Sequence, residues 1–263
     1  MRLLMVGAGT MGGAMLRRWL DCGLDPADVT VVSPSGREMP VGIRVTSVIP
    51  DAADATFDII MLGLKPQQLA ALREGPIAGH APRWLVSILA GVEEATLATL
   101  CGADVVVRAM PNLPVAIGKG VVALHASRAD EATRAAITEW MAPLGLVEWI
   151  GDEARFDDVT ALAGCGPAFL FRFADALAQA GAALGLPADQ AARLALATVE
   201  GAAIMAADAD VTPAILADRV ASPGGSTRQG LNVLEGENGL AALLIDTLAA
   251  AAKRNREMAA AAR

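Results

Sequence analysis

The chain has 263 residues, 54% of them hydrophobic and 19% charged, with 26 glycines; a sequence this apolar and this varied is not a disordered one. Its formal charge of −8 leaves no net positive field for nucleic acid or an anionic membrane surface. Two histidines, no tyrosine and three cysteines that are far apart and never in a CxxC pair argue against a disulfide framework, a structural zinc site or any bound metal.

Up to residue 152, short β-branched runs alternate with helical stretches. Strands are predicted at Leu3–Val6, Val29–Ser33, Phe57–Leu64, Trp84–Leu89, Val105–Met110 and Gly120–His125, and helices at Met11–Leu20, Pro66–Arg73, Glu94–Leu100 and Glu131–Met141. Such alternation predicts parallel βαβ units with helices on both faces of a sheet. From residue 153 the strand signal gives way to alanine- and leucine-rich helical sequence. Gly185-Leu186-Pro187 separates two helices there, Thr212-Pro213 starts another, and Asn238 is expected to cap the last. The predicted fold class is therefore α/β: a Rossmann-type dinucleotide-binding domain over residues 1–152, then an all-α dimerisation and substrate-binding domain over 153–263.

Residues 1–6 are apolar, but glycines follow at once, so no signal peptide is expected. The longest apolar runs picked out, Phe57–Leu64 and Trp84–Val92, fall short of the roughly 18 residues of a membrane span. A soluble, cytoplasmic protein without membrane or nucleic-acid partners is the expectation.

The first predicted strand runs into Gly7-Ala8-Gly9-Thr10-Met11-Gly12 and then into helix. This is GxGxxG where a dinucleotide requires it. Gly7 allows the tight turn, Gly9 lets a pyrophosphate approach the backbone, and Gly12 lets helix and strand pack closely. The helix N-terminus supplies free N–H groups for the phosphates. After the second strand comes Ser33-Pro34-Ser35-Gly36-Arg37, with no acid until Glu38. Two hydroxyls and a guanidinium suit a 2′-phosphate, so NADP is favoured, with NADPH expected over NADH. Two further loops follow strands, where ligands bind in open α/β sheets: Leu64-Lys65-Pro66 and Ala90-Gly91-Val92.

Three segments depart from generic dinucleotide-binding sequence. Arg108–Pro114 is a proline-rigidified loop that offers an amide at Asn112. Ala163-Gly164-Cys165-Gly166-Pro167-Ala168-Phe169 puts two glycines and a proline into a helical run, which predicts a kink. Ser222-Pro223-Gly224-Gly225-Ser226-Thr227 feeds a helix N-terminus, and its successive N–H groups suit a small anion such as a carboxylate.

Together, GAGTMGG, LKP, RAMPNLP, AGCGPAF and SPGGSTRQGLNVLE resemble the pyrroline-5-carboxylate reductase family, in order and over nearly the whole chain. The resemblance implies NAD(P)H-dependent reduction of Δ1-pyrroline-5-carboxylate to L-proline, the last step of proline synthesis. It implies a helical domain that interlocks in a homodimer, which can assemble further into a ring such as a decamer. By position, Gly7, Gly9, Thr10, Met11 and Gly12 would line the pyrophosphate, and Ser33, Ser35 and Arg37 would surround the adenosine end. Leu64, Lys65, Pro66, Ala90 and Asn112 would flank the ribose and nicotinamide. Ser222, Gly224, Gly225, Ser226 and Thr227 would hold the substrate carboxylate, with Thr227, the candidate catalytic residue, also near the imine nitrogen.

The chain departs from the family pattern at Leu113, Ala163, Cys165 and Phe169, where MPNTP and SGSGPAY are usual. An imine reductase for another cyclic imino acid, or a non-catalytic NADP-binding protein on the same fold, are the alternatives. A β-hydroxyacid dehydrogenase would need a catalytic lysine in the helical half, where the only lysine is Lys253. Reduction of a protonated C=N needs mainly alignment of cofactor and substrate, so the shortage of histidine and tyrosine is compatible with catalysis.

Overall fold

Strands β1 (Leu3–Val6), β2 (Val29–Val32), β4 (Ile59–Leu62) and β5 (Trp84–Ser87) are buried at every position, as parallel strands covered on both faces must be. In this computed structural model, which describes all residues except Ser35, Arg37, Ala262 and Arg263 (and, for Pro66 and Ala261, the backbone only), they form the centre of an eight-stranded sheet. Its order is β3-β2-β1-β4-β5-β6-β7-β8, with β3 at Arg44–Thr46, β6 at Val105–Pro111, β7 at Gly120–His125 and β8 at Gly145–Trp149.

Two features correct the sequence reading. The edge strands β3 and β8 were not predicted; they are half-exposed and carry polar residues such as Arg44 and Glu148, so the apolar signal is weak. The pair β6–β7 is antiparallel, not parallel. Only residues 112–119 join the two strands, mostly as the 3-10 turn Leu113–Ile117, whereas a parallel pair needs a crossover of about a dozen residues or more.

Side chains alternate across the sheet. Leu3 and Met5 join Val29, Ile59 and Trp84 under helices α1 (Thr10–Asp21) and α4 (Glu131–Met141). Trp19 of α1 stacks on Trp140 of α4 at 4.6 Å and donates its ring N–H to the Trp140 carbonyl at 3.0 Å. On the other face, Leu4 and Val6 join Ile60, Leu62 and Leu85. There α2 (Leu69–Arg73) contributes Leu69 and α3 (Glu94–Leu97) contributes Leu97. The predicted kink is a π turn over Thr160–Gly164, closed by the Cys165 N–H on the Thr160 carbonyl at 2.9 Å. It follows α5 (Phe156–Val159).

The chain divides into two compact units, Met1–Cys165 with Ala251–Arg263, and Gly166–Ala250. Residues 153–165 and the stretch from Ala251 onward belong to the first of these units. The second unit contains α6 (Gly166–Ala183), α7 (Ala188–Asp208), α8 (Pro213–Arg219), α9 (Ser226–Leu234) and the start of α10 (Leu240–Ala261). Gly185, at φ +101°, turns the chain between α6 and α7, and Gly181 lets the two helices approach at Ala191. Thr212 caps α8 through the Ile215 N–H. Asn238 does not cap α10: the first helical bond runs from Leu243 to the Gly239 carbonyl, one residue later. By length and composition the stretch Glu153–Ala183 is apolar enough to cross a membrane, longer than the runs noted in the sequence, although Asp157, Asp158, Arg172 and Asp175 lie along it.

Candidate functional site

The strand order reverses between β1 and β4, and ligands of open α/β sheets bind at that switch point, outside the carboxyl ends of the strands. The turn Gly7–Gly12 lies there. Gly7 has φ +85°, which favours glycine, and Gly12 sits against the Gly7 carbonyl and Met5. A Cβ on Gly9 would meet nothing nearer than 4.0 Å, so the backbone there is open to an incoming group. Gly9 is also the N-cap of α1, with no side chain capping the helix, and the first-turn N–H groups lie ahead of the first helical bond, Gly13 to Gly9. Thr10 and Met11 belong to this first turn. The arrangement fits a pyrophosphate.

Gly63, the residue after β4, is a member of this site that the GxGxxG spacing does not reveal. Its N–H donates to the Val6 carbonyl at 2.9 Å and its backbone lies directly against that of Gly7. Its signal in the sequence is a glycine near the end of the predicted strand, in LGLKP.

A hollow of about 400 Å³ adjoins the glycine turn on the α1 side, lined by Gly9, Thr10, Gly13, Arg17, Glu38 and Met39 among others. Ser33 is buried at the end of β2, and its N–H donates to Thr46 of β3 at 2.9 Å. Ser35 and Arg37 lie outside the described residues.

A larger cavity of about 920 Å³ opens beyond β5. Its wall includes Gln67, the loop Leu89–Glu93, Arg108 and Met110 of β6, Phe156, Thr160, and Met258 of α10. Ala90 is exposed on this wall. The adjacent Gly91 has φ +74°, and a Cβ there would lie 3.0 Å from the Ala259 backbone, so the end of α10 presses on the loop. Asn255 reinforces that end by donating to the Asp157 carbonyl at 3.2 Å. Lys65 is exposed, with its N–H on Gln68 Oε1 at 3.0 Å. Leu64 is half-buried, and Pro66 begins the 3-10 turn Pro66–Gln68.

The amide that the sequence offers at Asn112 is engaged within the protein. It is buried, its Oδ1 accepts from the Val121 N–H at 2.8 Å, and its Nδ2 donates to the Ala163 carbonyl at 3.0 Å. It fastens the β6–β7 hairpin to the π turn. The partner is the backbone of residue 163, so alanine in place of serine leaves this bond unchanged.

Beside the cavity, Glu94, His125 and Glu153 bring ligand-type atoms within 4.8 Å of one another. Each already has partners within the protein. Glu94 accepts from the Ser127 N–H and hydroxyl at 2.9 and 2.7 Å, and Glu153 accepts from Arg108 at 2.7 Å. His125 Nδ1 lies 2.8 Å from the Ile150 carbonyl and Nε2 lies 3.3 Å from Glu94. The three side chains belong to one polar network. His80 is likewise engaged, with Nε2 at 2.9 Å from the Pro50 carbonyl.

In the second unit, Gly224 at φ +73° and the Gly225 N–H on the Ser222 carbonyl at 3.0 Å shape the turn into α9. Gly225 is the N-cap and no side chain caps it. The first helical bond runs from Gln229 to Gly225, so the N–H groups of Ser226, Thr227 and Arg228 precede it and suit an anion. Ser222, Gly224, Ser226 and Thr227 are exposed. Arg228 bonds Asp218 at the end of α8 and lies 3.7 Å from Glu235 just past α9. The hydrogen bond to Asp218 raises its pKa further above the usual guanidinium value.

Residues 153–258 match the family model described as pyrroline-5-carboxylate reductase dimerisation, and residues 2–91 match that described as NADP oxidoreductase coenzyme F420-dependent. Among curated proteins, the chain is 34% identical to a pyrroline-5-carboxylate reductase of Pseudomonas aeruginosa, covering 98% of this chain and 97% of that one. It is 35% identical to one of Aquifex aeolicus over 89% of each. Among solved structures, it superposes on a pyrroline-5-carboxylate reductase of Coxiella burnetii with a TM-score of 0.84, at 30% identity and 97% coverage of both. The Plasmodium falciparum pyrroline carboxylate reductase with NADP bound shares the fold, with a TM-score of 0.80 at 24% identity and 98% coverage of both.

Proposed function

The chain belongs to the pyrroline-5-carboxylate reductase family, and from that premise we propose that it reduces Δ1-pyrroline-5-carboxylate to L-proline with a nicotinamide cofactor of the NADP class. The observation that carries the proposal is the pairing, on one chain, of two glycine-capped helix starts: α1 for a pyrophosphate and α9 for a small carboxylate.

The cofactor, when bound, supplies the hydride that adds to the imine carbon. The chain's own residues hold and orient. Gly9, Thr10, Met11 and Gly12 receive the pyrophosphate on backbone N–H groups, with Gly7, whose own N–H donates to the Val32 carbonyl, shaping the turn; Leu64, Lys65, Pro66 and Ala90 flank the ribose and nicotinamide, with Asn112 holding the backbone behind them. The Ser222–Thr227 turn takes the substrate carboxylate; hydrogen bonds to a charged acceptor contribute about 1.5–3 kcal/mol each, so two or three suffice without an arginine. The Thr227 hydroxyl holds the proton at the imine nitrogen while carbon accepts the hydride.

NADPH is preferred over NADH, on the strength of Ser33, Ser35 and Arg37, with Arg17 as a further cation in the neighbouring hollow. Glu38 in the same hollow is a feature that favours NADH. The protein works as a homodimer through the helical unit, open to assembly into a larger ring such as a decamer. Support comes from large apolar side chains left exposed on α6 and α7, among them Phe171, Phe173, Leu196 and Met205, a surface suited to a second copy. The proposed setting is the cytoplasm, without membrane or nucleic-acid partners.

One assay tests the reading: consumption of NADPH and of NADH with pyrroline-5-carboxylate, pyrroline-2-carboxylate and a keto acid. Turnover of pyrroline-5-carboxylate, fastest with NADPH, is expected. Preference for pyrroline-2-carboxylate would move the chain to another cyclic imine, and cofactor binding without turnover would make it a nucleotide-binding protein. Equal or tighter NADH binding would overturn the cofactor preference.

A further inference from the structure

Glu153 lies on the one-turn 3-10 helix Glu153–Arg155, and a single carboxylate oxygen serves two other elements. Its Oε1 accepts from Arg108 Nη1 of β6 and from the backbone N–H of Glu94 at the start of α3, both at 2.7 Å. Arg108 forms part of the cavity wall, is 8% exposed, and lies over the Phe156 ring at 4.5 Å. The ring fixes one face of the guanidinium and the carboxylate fixes its rotation in plane. Without Glu153, a buried guanidinium in that wall loses its acceptor.

The second bond acts on the loop. Helix α3 has no side-chain cap from its own N-cap residue, Glu93, so the Glu94 N–H is one of the first-turn donors that need a partner from elsewhere. Glu153 is that partner. The Glu94 carboxylate is held in turn by Ser127 and lies beside His125. Leu89–Glu93 is thus pinned at its far end through backbone and side chain, while Ala259 presses on its middle at Gly91.

We propose that Glu153 is a positioning residue for the nicotinamide end of the cofactor, setting both the Ala90–Glu93 loop and the Arg108 guanidinium. The assignment rests on the reading that the cavity beyond β5 receives that end.

The test compares the wild-type enzyme with Glu153→Ala, Glu153→Gln and Glu153→Asp. NADPH affinity is read by fluorescence titration, KM and kcat by turnover of pyrroline-5-carboxylate, and stability by thermal melting. Alanine removes the acceptor for both donors, so the NADPH Kd is expected to rise at least about tenfold, with the KM for pyrroline-5-carboxylate within about twofold of wild type. Glutamine keeps an oxygen in reach of both donors and should restore affinity to within about threefold of wild type. Aspartate keeps the charge but is one methylene short; it should behave like alanine, and with glutamine it carries the test if the alanine variant does not fold. An NADPH Kd within about twofold of wild type for both alanine and aspartate, or equal losses for glutamine and alanine, would overturn the assignment. Wild-type enzyme that neither binds NADPH nor turns over would instead sink the functional reading beneath it.

Discussion

A Cβ added to Gly63 would lie 2.6 Å from the carbonyl oxygen of Gly7, and one added to Gly7 would lie 3.0 Å from the carbonyl oxygen of Gly63. The ends of β1 and β4 meet backbone to backbone at the point where the pyrophosphate is expected, so neither strand end can move without the other. Gly63→Ala must push the glycine turn outward. We expect it to lower stability by about 1–3 kcal/mol and to raise the NADPH Kd on the order of tenfold or more. Denaturant unfolding and NADPH titration check both, and a wild-type affinity would show that the turn tolerates the displacement.

Thr227→Ala removes the one hydroxyl proposed to hold a proton at the substrate nitrogen and leaves the α9 backbone donors in place. The expected result is a fall in kcat/KM on the order of 100-fold or more, with NADPH affinity unchanged. Near-normal turnover would take Thr227 out of the mechanism.

Arg228 follows Thr227 directly, yet its charge is engaged by Asp218 and Glu235. It ties the end of α8 to the far end of α9 and steadies the turn between them. Arg228→Gln should raise the KM for pyrroline-5-carboxylate severalfold while leaving the NADPH Kd alone. If the rise instead matched that of a lost carboxylate ligand, about tenfold to 100-fold, Arg228 would have to be counted among the substrate's own contacts.

Asn112 offers a sharper contrast between two small substitutions. Asn112→Ala strands the Val121 N–H and the Ala163 carbonyl, at a cost of about 1–3 kcal/mol for each buried group left unpaired. Asn112→Asp retains the acceptor for Val121 but turns an oxygen toward the Ala163 carbonyl, so it should be at least as destabilising at neutral pH. An aspartate variant as stable as wild type would remove the Ala163 bond from the account. Thermal melting of the three proteins decides it.

Features carried by neighbours in the chain were legible in the sequence. The turn at Gly7, Gly9 and Gly12, the six inner strands, the kink before Gly166 and the glycine-capped start of α9 follow from spacing and local backbone preference. The direction of β7 is written in the length of the 112–119 connection, not in strand composition. Edge strands β3 and β8 have no continuous apolar run to announce them. Glu153 stands 45 residues from Arg108 and 59 from Glu94, so no periodicity joins the three. The inward-facing amide of Asn112 depends on where the π turn passes, which the local sequence does not state.

The return of the last residues to the first unit makes the helical unit an insertion held at both ends, not a tail. Ala259 rests on Gly91, Asn255 donates to Asp157, and Arg256 pairs with Asp158 at 3.2 Å. A protein shortened after residue 250 would keep the whole glycine turn and all eight strands, yet it would lose the buttress behind Ala90. Residues more than 150 positions along the chain from Gly91 thus support the loop proposed for the nicotinamide end.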